Sequence, residues 1–298
     1  MDFADSFLPT AASVGLLPML TYFFMIIAAY AFVANFLFAV LGKGSVAPEH
    51  RVSRYFTAMI AAVAGISYFL ITHFYHSVLK EVAHTADPVT RNHIFRTAYN
   101  AVGQLRYMDW LITTPLLLLK MVAMLKVQPH LAKSTITWLL LGDVFMIITG
   151  YIGEQQLDAS GDILVAPKLI WGAVSTVGYV VVLLMLSRIW KNFKEKAKPE
   201  ERTAFKYLAL GTVTTWGVYP IGYILTTLRG IDVNYIHIAF SVADVVNKVG
   251  AGFVAYLAAK RLIEERVPED AVIGPSHYKL KITALFCTGR ALLPCAEV

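Results

Sequence analysis

Arg106-Tyr107-Met108-Asp109-Trp110-Leu111-Ile112-Thr113-Thr114-Pro115-Leu116-Leu117-Leu118-Leu119-Lys120 sets three charges inside an otherwise apolar run that covers residues 103–125. As a helix, such a run matches the hydrocarbon thickness of a bilayer, which takes about 20 residues at 1.5 Å each. The rest of the chain decides whether lipid or a protein core surrounds it. Of 298 residues, 57% are hydrophobic and only 15% charged, with a mean hydropathy of +0.59. A soluble fold keeps about a quarter of its residues charged to cover its surface. Six further apolar runs cover residues 17–41, 55–79, 134–153, 166–190, 203–228 and 232–259, and the breakers and charges fall between them. The composition therefore predicts an all-α membrane protein, a bundle of seven transmembrane helices.

Lys and Arg number 26 against 20 acidic residues. They sit between the apolar runs and form no single stripe, so nucleic acid is not the expected partner. By loop, fifteen collect on one side, among them Lys43, Arg51, Arg54, Lys126, Lys133 and Arg266, and five on the other: Lys80, Arg91, Arg96, Lys168 and Arg229. The richer side belongs in the cytoplasm, which puts the N-terminus outside and the C-terminus inside. Asp2 and Asp5 stand where a signal peptide needs basic residues, so the first run is read as a span. Residues 1–266 form the seven-helix domain, and Pro268 and Pro275 mark a cytoplasmic tail over 267–298. Cys287 and Cys295 both lie in that tail and support neither a disulfide framework nor a metal site.

Ionisable residues within spans are expensive and point to function. Arg106 and Asp109 are neighbours on one helical face, Thr113 is one turn further, and Lys120 lies about 16 Å along the axis from Asp109. In the last span Asp244 and Lys248 are four apart, again on one face. A lysine at mid-depth must be paired, deprotonated or covalently modified. A Schiff base with a carbonyl compound would make it a fixed cation, which Asp109 and Asp244 suit. Trp110, Trp216, Tyr219 and Tyr223 could clamp a long apolar chromophore, or could be ordinary helix packing.

The stretch 106–120 resembles the third helix of microbial rhodopsins, Trp216-Gly217-Val218-Tyr219-Pro220 their sixth, and Asp244-Val245-Val246-Asn247-Lys248-Val249-Gly250 their seventh. The likeness covers the chain to about Arg266 and is nearest to the bacterial proton-pumping branch, which resembles bacteriorhodopsin, proteorhodopsin and xanthorhodopsin. It implies all-trans retinal bound to Lys248 as a protonated Schiff base, Asp109 as primary counterion and proton acceptor, and Asp244 as second counterion. It further implies that Arg106 swings between the counterions and the outer exit, and that Thr113 bonds the acceptor. Trp110, Trp216, Tyr219 and Pro220 match pocket walls, with Tyr223 beside them. Met146 and Gly150 match residues near the ionone ring, and Thr114 and Asp143 match a hydrogen-bonded pair between helices. Leu117, at the colour-tuning position, implies green absorption.

The chain also departs from the archaeal pattern. Lys120 occupies the internal donor position, where archaeal pumps have Asp; a minority of bacterial pumps use Lys. The plain alternative is a lysine that snorkels to the interface. Many bacterial members pair the acceptor with a histidine of the second helix; gapless placements give Ser67, Leu70 or His73, and depth favours His73 as the partner of Asp109. Leu228 and Ile236 replace the outer glutamate pair that releases protons. Gly172 stands in place of a tryptophan over the retinal ring, which would open a window for a carotenoid antenna, or simply repack. The resemblance thus implies a light-driven outward proton pump of the bacterial inner (plasma) membrane, forming a homo-oligomer in lipid, with no enzymatic bond chemistry. The alternative is a photosensory rhodopsin with a slow photocycle that signals to a transducer.

Overall fold

The computed structural model of the chain describes residues 9–42, 46–228 and 230–265. Lys43, Arg229, Arg266 and the expected tail over 267–298 lie outside the described residues. Seven helices long and apolar enough to cross a membrane follow one another: α1 (Leu16–Leu41), α2 (Pro48–Ala83), α3 (Pro88–Met124), α4 (Lys133–Glu154), α5 (Val165–Lys196), α6 (Pro199–Leu225) and α7 (Val233–Glu264). The outer surface is apolar, as a lipid-facing bundle requires: Phe69 is 67% exposed and Ile170 64%.

Several helices outrun the expected spans, for reasons readable at their ends. Pro88 takes the first position of α3, where its missing N–H is harmless, and the Asp87 carboxylate accepts from Thr90 N at 2.8 Å. The helix thus begins 15 residues before the apolar run does. At the start of α6, Glu201 reaches back to the Lys198 N–H at 2.9 Å. This helix is interrupted near Trp216: Pro220 has no N–H for the Trp216 carbonyl, which accepts from Tyr219 N at 3.2 Å instead.

Two features position the site. The helices α4 and α5 meet through glycine, since a Cβ on Gly178 would lie 2.5 Å from the Gly142 carbonyl oxygen. In α7 the regular ladder gives way over Val246–Gly250 to a π-helical turn that contains Lys248. Such wider turns recur at functional sites.

Candidate functional site

Carboxylates from two helices converge on the Lys248 amine, which is 4% exposed. Its Nζ contacts Asp109 Oδ2 from α3 and lies 3.4 Å from Asp244 Oδ1 of its own helix. The two carboxylates differ in their surroundings. Asp244 Oδ1 accepts from Tyr219 OH at 2.7 Å and Trp110 Nε1 at 3.1 Å, while Oδ2 accepts from Tyr68 OH at 2.8 Å and lies 3.5 Å from Arg106 Nη1. Asp109 Oδ1 is buried without a hydrogen-bond partner among the described residues. The Thr113 hydroxyl donates at 2.9 Å to the Asp109 main-chain oxygen, so it fixes the backbone of the acceptor.

Arg106 is 2% exposed and donates to Tyr68 OH at 2.8 Å and to Ser241 Oγ at 3.2 Å. Tyr68 thus bridges the guanidinium and Asp244. Sequence reasoning missed both partners. Ser241 lies three residues before Asp244 on the same face and was open to the spacing argument. Tyr68 carried no such signal, because one tyrosine in an apolar span looks like packing.

Beside the charges lies a cavity of about 480 Å³, within the range of roughly 300–1,000 Å³ usual for small-molecule sites. Trp110, Thr114, Leu117, Met146, Gly150, Gly172, Trp216, Tyr219, Pro220 and Tyr223 all line it, with Lys248 and Asp244 in its wall. Its shape depends on small residues: a Cβ on Gly150 would come within 3.2 Å of the Tyr107 ring, and one on Gly172 within 2.8 Å of Tyr223. Asp143 is buried and accepts from the Thr114 hydroxyl at 2.8 Å.

Lys120 is fully buried, and its Nζ has no hydrogen-bond partner among the described residues. It does not reach the interface, so snorkelling is not the reason for its place.

His73 must be corrected. It is exposed, and Asp109 meets Lys248 instead. Depth along a helix fixes height but not direction: His73 comes five residues after the inward-facing Tyr68, which turns it about 140° away. Of the other two places, Leu70 is 46% exposed and Ser67 is buried, donating to the Leu105 carbonyl at 3.2 Å.

Lys168, which the sequence places among the loop charges, forms a second buried ion pair. Lys168 Nζ lies 3.0 Å from Glu154 Oε2, with side chains 0% and 3% exposed. The ammonium stands 4.7 Å from the centre of the Tyr223 ring, whose hydroxyl donates to the Lys168 carbonyl at 2.7 Å.

Comparison with known proteins agrees with this architecture. The family model described as bacteriorhodopsin-like protein matches residues 18–262. Archaerhodopsin-2 of Halobacterium sp. (strain aus-2) is 30% identical over 243 residues, covering 80% of this chain and 85% of that protein. The crystal structure of Exiguobacterium sibiricum rhodopsin superposes with a TM-score of 0.68 at 26% identity, covering 82% of this chain and 97% of that one. Xanthorhodopsin, described as a light-driven ion pump with dual chromophore, gives a TM-score of 0.70 at 25% identity over 87% and 99%. A lysine held by two buried carboxylates at the wall of an aromatic cavity, in a seven-helix bundle that matches this family over most of its length, makes the chain a member of the bacteriorhodopsin-like family, a type 1 rhodopsin.

Proposed function

We propose that this protein is a light-driven outward proton pump. The observation that carries the reading is the asymmetry around Lys248: Asp244 accepts three hydrogen bonds and faces Arg106 at 3.5 Å, whereas Asp109 touches the amine with one oxygen and its other, Oδ1, is buried with no partner among the described residues. A saturated carboxylate stays ionised; a carboxylate with an open oxygen is the one built to take a proton.

The residues fit retinal, which the family implies. Lys248 would hold it covalently, and Trp110, Leu117, Met146, Trp216, Tyr219 and Pro220 would enclose its chain. Bound to Lys248 as a Schiff base, retinal would supply a light-driven isomerisation and a transferable proton at that nitrogen. Asp109 accepts the proton at its carboxylate. Asp244 remains the fixed anion, held by Tyr68, Tyr219, Trp110 and Arg106. Arg106, bonded through Tyr68 to Asp244, stabilises the outward side. Lys120 returns a proton from the basic end of the bundle, which we assign to the cytoplasm, with the N-terminus outside.

Gly172 is half-buried and lines the cavity, beside the exposed lining residues Ala173 and Thr176, so the cavity wall there has no bulky side chain at its centre. This supports a carotenoid seated at Gly172 as an antenna. A hydroxylated carotenoid should then add its band to the excitation spectrum, and Gly172→Trp should remove it.

Illumination of cells that express the protein with retinal, in unbuffered salt, tests the pump. External acidification abolished by a protonophore is the expected result. A bleachable pigment with no pH change would overturn pumping and favour a photosensor that acts through a transducer.

A further inference from the structure

Lys120 is sealed in the bundle, and a donor so placed must be reloaded from the basic end. On that side a second set of buried groups has no part in the steps above. The His50 side chain is fully buried, its Nε2 lies 2.9 Å from Glu201 Oε1, and its Nδ1 is buried with no partner among the described residues. The Glu201 side chain is 1% exposed and also binds Lys126 Nζ at 2.6 Å, while Lys126 is 37% exposed and lies 3.5 Å from Glu49. Lys126 takes a φ of +51°, uncommon for a residue with a side chain. The chain end of α3 is therefore bent onto this cluster.

The cluster connects inward. His50, Ser53 and Thr57 follow at intervals of three and four on α2, hence on one face, and are all buried. Ser53 Oγ contacts Met124 Sδ at 3.6 Å, which sets the two antiparallel helices in register. Four residues deeper on each helix stand Thr57 and Lys120, at one level. The rise from His50 to Thr57 is about 10 Å, in steps of roughly 4.5 and 6 Å that a single water can bridge. Arg54 also lies on this stretch of α2, but its guanidinium turns away to the carbonyl of Ala39 at 3.2–3.3 Å.

We propose that the His50–Glu201 pair is the relay that reloads Lys120 from the cytoplasm; this rests on the pumping reading. A proton that enters past the exposed Lys126 is added to the buried imidazole–carboxylate pair, giving an imidazolium held by the carboxylate. The imidazolium then gives one proton inward along the Ser53 and Thr57 hydroxyls to the Lys120 amine. One N–H bond breaks on the ring, one forms on the amine, and the pair returns to its starting state. Imidazole suits the task because its two ring nitrogens can take a proton on one side and give one on the other.

The test uses full-length pigment in lipid, with flash spectroscopy of Schiff-base reprotonation and a pH dye that reports uptake. His50→Gln and Glu201→Gln should retain the visible band yet slow both signals by tenfold or more. Millimolar imidazole should restore His50→Gln to within about threefold of wild type, a rescue that a merely structural role would not show. Ser53→Ala should slow uptake by a smaller factor and guards against misfolding of the other two. Wild-type kinetics in all three variants, or slowing that imidazole leaves untouched, would overturn the relay while pumping stands. If the wild type itself takes up no protons, the pumping reading falls first.

Discussion

Lys168→Met provides a sharp energetic test, because it removes the ammonium and keeps the volume of the stem. Glu154 is 3% exposed, and its Oε2 has that ammonium 3.0 Å away. Its Oε1 already has no partner among the described residues. Breaking a buried pair on one side strands the other charge and destabilises by roughly 3–5 kcal/mol, while replacing both partners with apolar groups is often neutral. Lys168→Met alone should therefore lower the thermal midpoint by on the order of 10 °C, and Lys168→Met with Glu154→Met should recover most of that loss. The assay is loss of the visible band on heating at a fixed scan rate, since unfolding of such proteins is irreversible. The four proteins form a double-mutant cycle. If the losses simply add, or if Lys168→Met melts with the wild type, the two groups are not a coupled buried pair and the reasoning fails.

Three further outcomes are expected. Gly178→Ala should lower the midpoint by about 5 °C in the same melting assay, because its Cβ would meet the rigid Gly142 carbonyl at 2.5 Å rather than a side chain that can move. Lys120→Ala should slow the reprotonation phase and make its rate follow external pH, as direct uptake from solution would; an unchanged rate would remove Lys120 as donor. His73→Asn should leave the spectroscopic titration of the pigment unaltered, because His73 faces outward; a displaced titration would mean that it communicates with Asp109 after all.

How much was legible follows from how rare a signal is against its background. Asp109, Asp244 and Lys248 stand out because a charge in an apolar run has few explanations, and their spacing gives the face they share. Tyr68 and Ser241 complete the network but belong to residue types that membrane helices tolerate anywhere. Glu154 and Lys168 lie at the ends of apolar runs, where charges usually mark loops, and only the folded chain brings the two ends together. The helix ends were also hidden: hydropathy reports where lipid stops, whereas Asp87 with Pro88 reports where the backbone starts to coil. The His73 error has the same origin, since height in the membrane is legible from a sequence and azimuth needs a fixed register.

The π turn over Val246–Gly250 gives α7 one residue more than a regular helix of that rise would hold. On its two sides the helix is anchored independently, by Ser241 against Arg106 and by Gly252, whose Cβ would lie 2.9 Å from Thr57. Deleting one residue within the turn would let the backbone return to regular α-helical spacing with both anchors in place, whereas the same deletion elsewhere in α7 would swing one anchor by about 100°. The chain therefore holds a spare residue beside its reactive amine, so the address of that amine can change by one position without the bundle being rebuilt.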